Sequence, residues 1–174
     1  MIDLLKARRS IRRYKDRDIE KEKIESILKA GLLAPSSKGR KPWEFLVIKD
    51  KEKLQKLSKS KPMGSFWLAN APVGIVVMVN KEITTDVWIE DAAIAATLMQ
   101  LEAHSLGLGS CWSQVRCRNY DDSLDSEEYV RNLLNIPENY GVCCILSIGY
   151  PDESRPAYEE KDIDFNKVHY EQLR

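Results

Sequence analysis

Apolar positions recur along the chain with two periods, and the changes between them lay out its elements. From Ile19 to Leu33, the residues Ile24, Ile27, Leu28, Leu32 and Leu33 fall at helical spacing, which predicts an amphipathic helix with those residues on its buried face. Pro35 closes it, because proline cannot continue the hydrogen-bond ladder and disfavours the α conformation at Ala34. Glu44 to Ile48, rich in Phe and β-branched residues, predicts a strand. VGIVVMV, Val73 to Val79, and VCCILSI, Val142 to Ile148, are nearly continuous apolar runs, the pattern of strands buried on both faces in mid-sheet. Between them, Val87 to Gly107 is apolar almost all round, and Ala92, Ala93, Ala95 and Ala96 keep its surface narrow, so it packs closely on several sides. At 1.5 Å per residue that helix spans about 30 Å, and part of it is expected to bury itself against a second subunit. Glu127 to Asn135 predicts one more helix. The tail from Asp152 to Arg174 is polar, with Tyr158, Phe165 and Tyr170 as isolated anchors, and is expected to wrap a neighbour because it has too little apolar surface to fold alone.

Composition narrows the class. With 43% hydrophobic residues over 174 positions and no repeat, low-complexity block or linker, residues 1–174 read as one folded domain. Twenty-seven basic residues balance twenty-seven acidic ones, so no global field draws nucleic acid or an anionic membrane, and any anion site must be local. MIDLLKARRS lacks the apolar core of a signal peptide, and no apolar run approaches the roughly 20 residues that span a bilayer, so a soluble cytoplasmic protein is expected. Cys111, Cys117, Cys143 and Cys144 have no CxxC spacing, and neither His104 nor His169 has a partner at metal-ligand spacing. No metal site is predicted, and the four thiols are read as buried and reduced.

Positive charge gathers twice. In RRSIRR, extension after a short first helix would point Arg8, Ser10 and Arg12 the same way, converging two guanidiniums and a hydroxyl. The planar fork of arginine suits phosphate or carbonyl oxygens. In PSSKGRKPW, Ser36 and Ser37 offer hydroxyls and backbone N–H groups, and Gly39 allows close approach to a flat ligand. Alone, RRSIRR reads as an ordinary solvated basic stretch sooner than as a site, and PSSKGRKPW reads equally as a surface turn. GLGSC, Gly107 to Cys111, follows a helix and lacks the dinucleotide-loop pattern, so Gly107 is read as a helix C-terminal glycine. Glu90 and Asp91 are read as the wet or hydrogen-bonded face of the Ala-rich helix, and Trp67, Trp88 and Trp112 as core or interface anchors.

Taken in order, RRSIRRY, APSSKGRKPWEFLVI, the Ala-rich helix running into GLGSCWSQ, and LSIGYP followed by Arg155 resemble the nitroreductase-like flavoproteins, from Leu4 to about His169. The resemblance implies an α/β (α+β) fold with a mixed sheet flanked by helices, and an intertwined homodimer with FMN at its interface. It implies NADH or NADPH as donor and a small acceptor such as a nitroaromatic or quinone. Arg8, Arg9, Ser10 and Arg12 would grip the FMN phosphate, ribityl chain and pyrimidine edge. Pro35, Ser36, Ser37 and Gly39 would reach the same flavin from the partner subunit. Cys111, Trp112, Ser113 and Gln114 would lie against the isoalloxazine ring, and Arg155 would reach the phosphate. The family often has Asn at the place of Gly39 and Gln at that of Lys41, so Lys41 would bring a cation near the pyrimidine or face water. A reduced flavin is electron-rich near N1 and the C2 oxygen, where Arg12 or Lys41 would stabilise it. Because the cofactor carries that chemistry, no catalytic side chain is expected. The residues leave open a flavin-binding module that stores or delivers FMN without turnover, and a specialised reduced-flavin enzyme for dehalogenation or flavin cleavage.

Overall fold

A computed structural model of the protein describes residues 1–173. Its helices are α1 (Ile2–Ala7), α2 (Lys21–Leu32), α3 (Lys51–Leu57), α4 (Trp88–Ser105) and α5 (Ser126–Leu134). The strands β1 (Trp43–Ile48), β2 (Val73–Asn80), β3 (Gly109–Gln114) and β4 (Tyr140–Gly149) form one sheet in the order β1-β2-β4-β3, every neighbour antiparallel. The parallel component of the sheet is a single bridge between Ser10 and Ser110 on the outer side of β3.

The two all-apolar runs occupy the two central strands, where both faces are covered. On one face Ile75, Val77, Val79, Leu146 and Ile148 meet α2 and α4. On the other, Val76 and Ile145 meet Leu54 and Leu57 of α3 and Val130 of α5. A bulge in β4 opposite Val77 and Met78 breaks the strict alternation, so Cys143 and Cys144 both join the α4 side while Val142 faces α3 and α5. Alanines 92, 95, 96 and 103 of α4 are fully buried, which lets α2 and the sheet approach closely on two sides.

Several expectations are corrected by packing. Leu32 and Leu33, assigned to the buried face of α2, are 51% and 78% exposed at its C-terminal end. Cys117 is exposed, so three rather than four thiols are buried, and all four are free. Phe165 and Tyr170 anchor nothing within the chain, at 71% and 83% exposed. Helix α3 and strand β3 went unread because KEKLQKL carries two apolar residues and GSCWSQ is poor in strand formers. Gly107 does end α4, in the left-handed region at φ +77°. No helix among the described residues is long and apolar enough to cross a membrane.

One close approach fixes the N-terminal segment on the sheet. A Cβ at Gly109 would lie 2.7 Å from Cβ of Ile11, so only glycine lets residues 10–12 press against β3. Gly109→Ala is expected to lower the unfolding free energy by about 1–3 kcal/mol, measured by urea denaturation. An unchanged midpoint would contradict this packing.

Candidate functional site

The segment after α1 is held extended by its neighbours. Ile11 N–H donates to the Ser110 carbonyl at 3.0 Å, and Lys15 N–H donates to the Tyr150 carbonyl at 2.9 Å. Tyr14, buried beneath, donates its hydroxyl to the Ile11 carbonyl at 2.5 Å and meets the Ser147 hydroxyl at 2.7 Å. Burial pushes its phenol far up, which keeps it a neutral donor. So fixed, Arg8, Arg9, Ser10 and Arg12 line a pocket of about 190 Å³ with Arg155 and Tyr158.

Within that pocket the arginines differ. Arg9 donates to the Pro156 carbonyl and lies over the Tyr158 ring at 4.3 Å, so it is committed to the tail. Arg155 is 3.2 Å from Glu153 Oε2. Arg8 and Arg12, both half-buried, pair with no carboxylate among the described residues. Two guanidiniums without carboxylate partners at a small concave site are suited to an anion.

Glu153, which the sequence reading did not single out, organises this receptor. Its Oε1 accepts the Arg12 N–H at 2.5 Å and the Arg13 N–H at 3.2 Å. The Arg12 amide above all holds its carboxyl below the usual carboxylate range, with Arg13 and Arg155 adding to the effect against the opposing pull of burial. Lys61, which lies in a stretch with no period, and Trp67, read above only as a core or interface anchor, also reach this corner. Lys61 Nζ donates to the Gln114 carbonyl at 2.9 Å, and burial with the nearby Arg118 charge pushes its ammonium down. The Arg12 guanidinium lies over the Trp67 ring at 5.0 Å, and the buried indole N–H there has no partner.

Strand β3 carries the next group. Cys111 and Ser113 are buried, and Ser113 donates to the Gly64 carbonyl at 3.2 Å. Burial pushes the Cys111 thiol up, and the adjacent Arg12 only partly offsets this. Trp112 and Gln114 alternate away from them and bond to each other at 2.8 Å. Cys111 therefore adjoins Arg12, while Trp112, expected against the same ring, packs with the α2 and α4 cluster on the opposite face of the sheet, because alternation along β3 turns it and Gln114 the other way.

The second basic stretch lies elsewhere. Pro35, Ser36, Ser37, Gly39 and Lys41 precede β1, where Trp43 pairs with Val79 and Val79 with Gly141. Ser10 pairs with Ser110 and Ser110 with Ile148. At about 3.4 Å per residue and 4.8 Å per strand, those two corners of the sheet are about 30 Å apart along its diagonal. The N–H groups read as available are partly used: Ser37 N–H donates to Asp91 Oδ1 at 2.9 Å, and Ser36 Oγ accepts from Lys41 N–H at 2.8 Å. Lys38, Gly39 and Lys41 are exposed.

The nitroreductase family model matches residues 5–61 and 58–150. An FMN-dependent nitroreductase from Clostridium difficile R20291 is 56% identical, with a TM-score of 0.97 over 99% of this chain and 100% of that one. A protein of Archaeoglobus fulgidus bearing the name NADH dehydrogenase/NAD(P)H nitroreductase is 38% identical over 98% of this chain and 97% of its own length. An iodotyrosine deiodinase from Thermotoga neapolitana is more distant, at 24% over 94% and 95%. The chain belongs to the nitroreductase family.

Two outcomes test the site. Arg8→Gln and Arg12→Gln are each expected to weaken FMN binding about 10- to 100-fold in fluorescence titration, since each removes charge-assisted bonds, whereas Lys29→Gln on exposed α2 leaves it unchanged. Because the Glu153 carboxyl is lowered in the fold, its stabilisation is present above the ordinary glutamate pKa of about 4.3 and is lost as pH falls through the lower folded value. The difference in urea midpoint between the parent and Glu153→Gln is therefore expected at pH 7 and to shrink toward pH 3.5; a constant difference contradicts the assignment.

Proposed function

We propose that this protein is an FMN-dependent oxidoreductase that accepts hydride from NADH or NADPH and passes the electrons to a small acceptor such as a nitroaromatic or quinone. The observation that carries this reading is the pair Arg8 and Arg12, half-buried and without carboxylate partners, at a pocket of about 190 Å³. A concave site of that size admits a phosphate and its adjoining carbons. The orphan indole N–H of Trp67 beside Arg12 offers one more unspent donor. These residues fit FMN.

FMN, when bound, supplies the electron transfer between nicotinamide and acceptor. The side chains bind and polarise. Arg8, Ser10 and Arg155 take the phosphate end, and Arg12 supplies positive charge toward the ring end. The pocket lining holds no carboxylate, thiol or imidazole, so binding and electrostatics are the roles left to it.

A homodimer follows from the same reading. What supports it is the diagonal of about 30 Å, which prevents the Ser36–Gly39 loop from reaching the arginine pocket of its own protomer. Apolar residues exposed at the loop corner, Leu32, Leu33, Ile83 and Ile94, and along the tail, Ile163, Phe165, Val168 and Tyr170, are surfaces that a second copy would cover.

Anaerobic reduction provides the test. Purified protein with FMN is expected to be yellow, to bleach on addition of NADH or NADPH, and to recolour with a nitroaromatic or quinone. Failure to bind FMN contradicts the proposal, and a yellow protein indifferent to both nicotinamides would instead mark a flavin-storage module.

A further inference from the structure

Asp91 is a buried acidic side chain that neither the fold nor the proposed chemistry accounts for. It sits in the first turn of α4, 3% exposed. Its Oδ1 accepts the Ser37 N–H at 2.9 Å, while Oδ2 is buried with no partner. A buried carboxylate with one oxygen empty is expensive to keep, and an apolar side chain of the same size would ordinarily serve the core as well or better.

The loop it touches explains its retention. Lys38, Gly39 and Lys41 all lie in the left-handed region, at φ 55°, 66° and 47°. Two of the three are lysines, whose Cβ opposes that conformation, and strain of this kind persists only where surrounding contacts over-determine the backbone. Within the loop, Gly39 N–H donates to the Ser36 carbonyl at 3.0 Å, Arg40 N–H to the Ser37 carbonyl at 3.2 Å, and Lys41 N–H to Ser36 Oγ at 2.8 Å. Those bonds shape the loop without tying it to anything. The Asp91–Ser37 bond reaches the body of the protein, on an 18-residue helix whose alanines are locked against the sheet.

We propose that Asp91 is a positioning residue: through Ser37 it holds the strained Ser36–Lys41 loop in the shape that meets FMN. This rests on the FMN-binding reading above. Asp91 touches no cofactor itself. Its bond also takes the Ser37 N–H out of use as a ligand donor, which leaves the Ser37 hydroxyl and the outward side of the loop for that purpose.

The test uses the full chain in three forms: the parent, Asp91→Asn, which keeps an oxygen for Ser37, and Asp91→Leu, which removes it. Asp91→Ala replaces the leucine form should that one not fold. FMN affinity is read by fluorescence titration, stability by urea unfolding, and the loop by hydrogen exchange at the Ser37 amide. Asp91→Leu is expected to weaken FMN at least about tenfold and to speed Ser37 exchange, with stability unchanged or raised because a buried charge has gone. Asp91→Asn is expected to stay within about threefold of the parent in affinity, the cost of a neutral for a charged acceptor. A merely structural role would move stability and affinity downward together. The proposal is overturned if Asp91→Leu, or Asp91→Ala in its place, binds FMN as the parent does, or if Asp91→Asn loses as much affinity as that variant. Parent protein that binds no FMN would instead refute the cofactor assignment.

Discussion

The sheet diagonal governs everything else in this molecule. Four antiparallel strands place residues 8–14 at one corner and residues 35–42 at the opposite one, about 30 Å away at ordinary strand spacing. On the proposed reading neither corner alone is a complete ligand site. The first has two guanidiniums without carboxylate partners; the second has a strained loop with exposed lysines. Two copies of the chain can bring unlike corners together, and a single copy cannot.

Electrostatics at the arginine corner depend on one carboxylate. The chain has no net charge, so the attraction for an anion is made locally. Glu153 binds the backbone of Arg12 and Arg13 and the side chain of Arg155, which straightens the segment while leaving the Arg8 and Arg12 charges unspent. A carboxylate on the guanidiniums themselves would have cancelled the site. The acid fixes the main chain and the bases are left for the ligand.

Much of this was legible in the residues, for identifiable reasons. Helical spacing carried α2, and continuous apolar runs carried α4, β2 and β4, because burial on one face or on all sides leaves an unmistakable apolar pattern. Arg8, Ser10 and Arg12 came from alternation in an extended segment, and all three line one pocket, although Arg9 lines it too. Gly107 and the end of α2 came from local backbone chemistry. What escaped depends on tertiary contact. Strand β3 forms from poor strand residues because its neighbour β4 and the Gly109 approach dictate it. Lys61 and Glu153 reach the site from distant segments with no motif, and Trp67 was readable as a core anchor but not as a neighbour of Arg12. Leu32 and Leu33 fit the apolar face of α2 by spacing, yet they emerge at the loop corner, where the covering surface would be another chain. Asp91 was readable as a hydrogen-bonded residue, though its partner, 54 positions earlier, was not.

Complementation between two deficient chains tests the shared site most directly. One chain carries Arg8→Gln and Arg12→Gln, and the other has residues 36–39 replaced by alanines; the two are co-expressed with different tags and the mixed species is isolated. The account predicts that neither variant alone holds FMN tightly, while the mixed dimer binds one FMN per pair with near-parental affinity, because one of its two sites takes intact arginines from one chain and an intact loop from the other. Mixed dimers that bind no better than either parent variant would contradict it.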